Sequence, residues 1–365
     1  MTVESAEAGQ TDALETSEAA GGGWKRRGVL RAVALRLLAL PPTLIVLVTF
    51  SFLITAVLPS NPARVVLGDM ASGEAVAEFN HELGLDQPVI EQYFMYWGRL
   101  LRGDLGTSFY SGLPVGDEIA HRAGSTLALI VSALILAFAM GVGIALVGTR
   151  FPGRFADRSG SFVVSVSQSI PPFVLGIVLL YLLSYQFGIA PPPSGQQPLA
   201  AETPPQVTGV LAIDMVLAGR FSELGSVLSH MALPVTALAF GYLAFFARIT
   251  RPALETAMAS DQVQFARTLG LSEARVLHYG WLEARVPVIA YSGQLFAEML
   301  GATAILETIF SWNGLGQWAI TSILKLDIPS IQGFVLVAGT ATFVVFFALD
   351  FIAKALDPRI RYDRN

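Results

Sequence analysis

"QFARTLGLSEARVLHYGWLEARVPVI", Gln264–Ile289, lies between two long apolar stretches of an oily chain. A short polar turn would connect two such stretches, yet this segment carries its own helix signals. Asp261 can cap a helix N-terminus, with Gln264 three residues on in a capping-box relation. The spacing predicts a helix through Leu269. Gly270 then fits the left-handed position after a helix end, where a Cβ is penalised. Ser272 caps a second helix that runs through Arg275, Leu277 and Trp281 toward Pro287. A helix of about eight residues is marginal alone, because nucleation costs more than so few bonds return. It needs a surface, and Val263, Ala266 and Gly270 share a small face that a partner could approach closely. From the residues alone two readings stand: a stiff interfacial hairpin, or a knob on which another protein docks.

Working outward, 53% of the 365 residues are apolar, 14% are charged, and mean hydropathy is +0.58. Soluble domains carry about 25% charged residues. Spans need about 20 apolar residues to cross about 30 Å of hydrocarbon, and six runs qualify. The first ends near Leu58 after Lys25, Arg26, Arg27, Arg31 and Arg36; it is too long for a cleaved signal and lacks an A-x-A exit. The others are Ser125–Val147, Gly160–Phe187 with Pro171-Pro172 inside, Ser226–Ala247, Pro287–Ile309 and Ile331–Phe351. Strand alternation for a barrel is absent. The expectation is an all-α integral membrane protein with six transmembrane helices. Segment 1–23, with five acids and no base, is expected to stay disordered. Segment 24–58 is the basic flank and first span, 59–124 an extracytoplasmic helical region, 125–355 the membrane core, and 356–365 a tail. With both termini cytoplasmic, 17 of the 23 basic residues fall inside, as the positive-inside bias requires. Segment 250–286, with Gln264 in it, is then cytoplasmic.

The chain has no cysteine, which excludes disulfides and thiolate chemistry. Its lysines, Lys25, Lys325 and Lys354, never follow a glycine, so it holds no P-loop for ATP. His81, His121, His230 and His278 are too scattered for a metal cluster. No catalytic, cofactor or metal residues are expected, and no nucleic-acid partner.

The pattern Gln264, Phe265, Ala266, Arg267, Gly270, Leu271 and Ser272, ending at Pro287, resembles the cytoplasmic "EAA" loop of ABC-importer permeases. Other stretches are similar to the B-type subunit of oligopeptide and dipeptide permeases: "LRLLALPPTLIVLVTFSFLITAVLPSNPAR" in the first span, "LGLDQPVIEQYFMYWGRLLRGDLGTSFYSGLPVGDEIAHRAGSTLAL" before the second, and then "SIPPFVLGIVLL", "ILETIFSWNGLGQWA" and "LDPRIRY". The likeness covers roughly Val29 to Tyr362. It departs at Gln264, where the family has Glu, in the acidic tail, and in the Pro-rich loop Gly188–Gly225. What the resemblance implies is a type I importer permease fold, a coupling helix at 264–272 that docks on an ATPase, and a pathway shared with a homologous second permease. It also implies one or two P-loop ATPase subunits that hold the ATP and Mg, an external substrate-binding protein, and a bacterial cell membrane. Peptide is the family-level substrate; nickel complexes and oligosaccharides are the alternatives.

Three further sites follow. In 59–124, Asp86 and Pro88 start a helix whose Ile90, Tyr93, Phe94, Trp97 and Leu100 or Leu101 share a face, ended by Gly103; it packs on the spans or receives the binding protein. Glu298, near mid-depth, where a lone carboxylate is expensive, serves a cavity or gate or a buried hydrogen bond, and Pro171 and Pro172 interrupt their span only where protein or a cavity supplies partners. Glu307 organises an outer turn through Asn313 and Gly314, and His230 with Pro234 is structural. An ion-coupled secondary transporter would show paired intramembrane sites in two halves, and none is visible. A receptor or scaffold would carry no substrate flux.

Overall fold

The computed structural model describes Leu38 and residues 41–54, 62–68, 70–82 and 84–356. The expectations for 1–23, the basic flank, most of "LDPRIRY" and the tail therefore lie outside the described residues. The chain divides into two compact units, Met1–Phe50 and Ser51–Asn365. The first contributes, among the described residues, Leu38 and most of α1 (Pro41–Ile54).

The second unit is helical; among the described residues no strand occurs, and Thr107 and Pro114 form one isolated bridge. Three short helices, α2 (Pro62–Leu67), α3 (Gly73–Glu82) and α4 (Val89–Leu100), precede α5 (Val115–Arg150). Pro114 stands at the N-cap of α5, and Asp117 and Glu118 fill its first turn, where the helix dipole favours acids. The helix therefore begins ten residues before the uncharged run, within the segment expected to end at 124. Next come α6 (Phe155–Ser169) and α7 (Pro172–Leu179), which continues as a π-helical turn over Leu180–Gln186. After α8 (Leu211–Leu217) follow α9 (Phe221–Met258), α10 (Asp261–Thr268), α11 (Glu273–Ile309), α12 (Leu315–Leu324) and α13 (Ile328–Leu356).

Among the described residues α5, α9, α11 and α13 are each long and apolar enough to cross a membrane, and α6 with α7 would make a fifth crossing. That fifth element is interrupted at Pro171-Pro172, as the sequence required, and its halves are bent by 100°. Ile170 is extended, as a residue before proline prefers, and Pro172 takes the first position of α7. The elbow sits on α9, where a Cβ at Gly241 would lie 2.4 Å from Pro172 Cγ. Nearby, the Ser167 hydroxyl donates to Phe240 O at 2.5 Å.

The core lies among α5, α9 and α11, built from Leu129, Ile130, Leu238, Phe246, Leu295 and Phe296. In lipid, helices associate by close packing rather than by excluding water, so small residues mark the contacts. α5 and α9 form the most extensive pair; a Cβ at Gly141 would come within 2.4 Å of Leu243 O. The Pro-rich loop is folded down onto this core. Gln196 donates to Ser125 Oγ at 2.6 Å, Gly195 N donates to Phe310 O at 3.1 Å, and a Cβ at Gly124 would overlap Gly209.

Candidate functional site: the two ends of helix α11

α11 holds 37 residues without a break, about 55 Å at the usual helical rise, with Pro287 accommodated inside. Ser272 is its N-cap residue, as read, but the helix does not stop at the start of the apolar run. The part of the segment from Glu273 onward and the fifth apolar run are therefore one rod.

At its start sits α10. Ser260, not Asp261, occupies the N-cap, and Gln264 makes no capping box: its amide Nε2 donates to Met258 O at 3.0 Å. The reason is one residue of register, since α9 ends at Met258 and Ser260 already has the extended backbone of a cap. Gly270 has φ +71°, and its N–H donates to Arg267 O at 2.9 Å, closing the helix end. Val263 and Ala266 are buried. Both thus pack inward against the chain itself, while Gly270 of the same small face stays exposed. The open face carries Phe265 and Leu269, each 63% exposed, one helical turn apart. Gln264, Arg267, Gly270 and Ser272 are exposed with them, and Leu271 is half-buried. Leu269 was read in the sequence only as the helix end, although its i+4 spacing from Phe265 was visible.

α10 is fixed from both sides. The Ser260 hydroxyl donates to Glu283 of α11 at 2.9 Å. A Cβ at Gly280 would meet Met258 Sδ at 2.8 Å, so α9 and α11 cross closely there. Ala145, Leu254, Ala257 and Ala284 pack beneath. Arg251 of α9 reaches Asp157 of α6 at 2.8 Å, which ties the elbow helix to the same junction.

At the far end Glu307 is fully buried. One carboxylate oxygen accepts from the Thr126 hydroxyl at 2.6 Å, the other from Gln317 N at 2.8 Å in the first turn of α12. Leu315 N donates to Thr126 Oγ1 at 2.7 Å, and Trp312 Nε1 to Ser125 O at 3.0 Å. Asn313 lies at φ +54°, a conformation its side chain tolerates, and its N–H donates to Gln317 Oε1 at 2.8 Å. A Cβ at Gly314 would sit 2.5 Å from both Glu307 Oε1 and Thr126 Oγ1, so the turn has no room for one. His230 is buried nearby in sequence to Pro234 and bonds Ser226 O at 2.8 Å. A neighbouring latch was missed altogether: Asp327 accepts from Ser108 Oγ at 2.5 Å, Phe109 N at 2.9 Å and Ser330 Oγ at 2.7 Å.

Between the ends, Glu298 is exposed on this chain and accepts from Gln294 Nε2 at 3.1 Å, one turn away. The buried hydrogen-bonding alternative for Glu298 thus fails within the single chain. Pro171 is also exposed and Pro172 half-buried.

Residues 137–362 match the family of binding-protein-dependent transport system inner membrane components, and residues 29–130 match the N-terminal model of the same systems. The chain belongs to this family. The permease is accordingly a multi-pass inner membrane protein and a component of a transport system rather than an enzyme in its own right. It is 33% identical over 311 residues to the probable D,D-dipeptide transport system permease protein DdpB of Escherichia coli (strain K12), covering 85% of this chain and 91% of that one. The dipeptide transport system permease protein DppB of Alkalihalophilus pseudofirmus is 31% identical, covering 90% and 98%. The glutathione transport system permease protein GsiC of Salmonella typhimurium is also 31% identical, covering 92% and 100%. The permease's α10 and α11 fall within the larger match, and α2 to α4 within the smaller; residues 1–28 precede both.

Proposed function

We propose that this permease is the B-type subunit of an ATP-driven ABC importer for di- and oligopeptides, crossing the membrane six times with both termini cytoplasmic. The peptide assignment rests on its relatives, which are permeases of dipeptide, D,D-dipeptide and glutathione transport systems. ATP and Mg belong to one or two partner ATPase subunits, since no lysine here follows a glycine.

The observation that carries the mechanism is α11 as one rod with a different surface at each level. Its start holds α10, whose exposed Phe265 and Leu269 suit a cleft on a partner ATPase. Its middle presents Ala290, Gln294, Glu298 and Gly301 uncovered. By contrast, the uncovered line on α5 is Leu127, Val131, Ile135 and Ala139, all apolar. Hydrocarbon suits the second face, whereas a carboxylate at mid-span calls for a polar cavity or a protein partner. The α11 face therefore turns toward the second permease and the pathway between them, with the elbow at Pro171 and Pro172 as a second element of the gate. ATP-driven closure of the ATPases moves α10, and the rod carries that motion as a rigid body to the Glu307 turn. An external binding protein delivers the peptide.

Because the chain has no cysteine, Phe265→Cys supplies a unique crosslinking site. In the assembled complex a short photoactivatable crosslinker at 265 should capture the ATPase polypeptide, and the same reagent at Ser161→Cys should not. Equal capture at both positions, or none at 265, would remove the docking assignment.

A further inference from the structure

Helix α4 has two unlike faces. Inward, the Tyr96 hydroxyl bonds Ser51 at 3.0 Å, and Phe52 packs on Tyr96 and edge-on to Tyr93. Outward, Ile90, Phe94 and Leu101 are 61%, 65% and 80% exposed, and Val89 extends the same patch. Ile90, Phe94 and Leu101 belong to the face that the sequence set either on the spans or under a binding protein; these three stay uncovered, whereas Tyr93 of that face packs on Phe52. A continuous apolar patch of this kind marks a surface that something covers.

The depth of α4 is set by its neighbour across a groove. A cavity of about 940 Å³ separates α4 from the first turn of α13, where Ile328, Pro329 and Gln332 form the opposite wall. That turn begins a helix apolar enough to cross the membrane, so α4 lies level with the start of that helix, where a headgroup zone would fall. Tyr93 and Trp97 are the amphipathic aromatics that this zone favours. Arg99 and Arg102 line the groove, and neither makes an ion pair among the described residues. Glu82, Glu91 and Asp104 line it too, so the wall offers both signs of charge.

We propose that α4 is an interfacial helix whose outward face lies among the acyl chains of the adjacent leaflet, and that the groove holds a phospholipid headgroup with its phosphate at Arg99 and Arg102. A buried apolar face combined with cationic side chains is the general physics of such helices. The acidic wall matches a headgroup that also carries an ammonium. This rests on the chain being a membrane component, which its family establishes, and is independent of the substrate.

The test uses the assembled transporter in liposomes of phosphatidylethanolamine and phosphatidylglycerol. Nitroxide labels are placed at Phe94→Cys and, separately, Glu91→Cys. The ratio of oxygen to nickel-chelate accessibility should be several-fold higher at 94 than at 91. Equal ratios would mean that the face stands in water, and exclusion of both reagents from 94 would mean that a protein partner covers it; either overturns the proposal. For the headgroup, native mass spectrometry should find one tightly held phospholipid fewer after Arg99→Ala with Arg102→Ala, with the 94 label still oxygen-exposed as a check of folding. Arg220→Ala, whose guanidinium is already held by Glu223, should keep that lipid. Equal retention in both variants would overturn the headgroup site.

Discussion

Glu307 shows how one buried carboxylate can organise a span end. Its two oxygens take a hydroxyl from α5 and a backbone N–H from α12. Glu307→Ala leaves both donors without an acceptor in a site that water does not reach, at a cost of roughly 1–3 kcal/mol for each group. Thermal unfolding in detergent should fall markedly for Glu307→Ala and less for Glu307→Gln, which keeps one acceptor oxygen. Asp214 offers a pH test away from the spans. Burial pushes its carboxyl up, but the Thr208 backbone and hydroxyl, with the backbone N–H groups of Val207 and Gly209, outweigh it and hold the group below its ordinary 3.8. A lowered folded value stabilises above the unfolded value, and that stabilisation is lost as pH falls through the folded one. Stability should therefore drop below about pH 4 by a step that Asp214→Asn abolishes, measured by unfolding at fixed temperature across that window. Glu307, Asn313 and Gly314 were legible in the sequence because they lie together in one stretch. Thr126 and Asp327 were not, because their partners stand 181 and 219 positions away and nothing local announces them.

At the scale of elements, the capped segment between two apolar runs was readable because its signals are short-range: Gly270 as a left-handed stop and Ser272 as a cap both occupy those roles. The packing of α10 was not readable. Val263 and Ala266 look like an open small face in the sequence, yet both are buried in a helix that packs against α9 and α11. The Cα of Gly270 faces open space, so a side chain there meets strain from its φ of +71° rather than a clash. Gly270→Asp adds that strain and a charge beside Phe265 and Leu269. Such a variant should reach the membrane at normal levels and lose most of its transport, whereas normal uptake would detach α10 from coupling. The elbow at Pro171 and Pro172 follows from local chemistry, but the close fit of Pro172 against Gly241 is a contact 69 residues away that local chemistry does not show.

At the scale of the whole molecule, composition alone announces a membrane protein, and the described residues supply four crossing helices and a bent fifth. Sequence patterning underestimated how long the spans are. Uncharged runs report only the hydrocarbon-facing middle of helices that continue, with capped and charged ends, well past it. An uncovered polar face on α11, exposed Phe265 and Leu269 at α10 and the lack of any glycine-lysine pair support the proposed role as one subunit among several. The measurement that tests this most directly is ATP hydrolysis by the complex purified through this subunit, reconstituted with its binding protein, with and without a short-peptide mixture. Hydrolysis that rises several-fold with peptide is the expected result. Hydrolysis indifferent to peptide would contradict the substrate class, and no hydrolysis at all would contradict the importer itself.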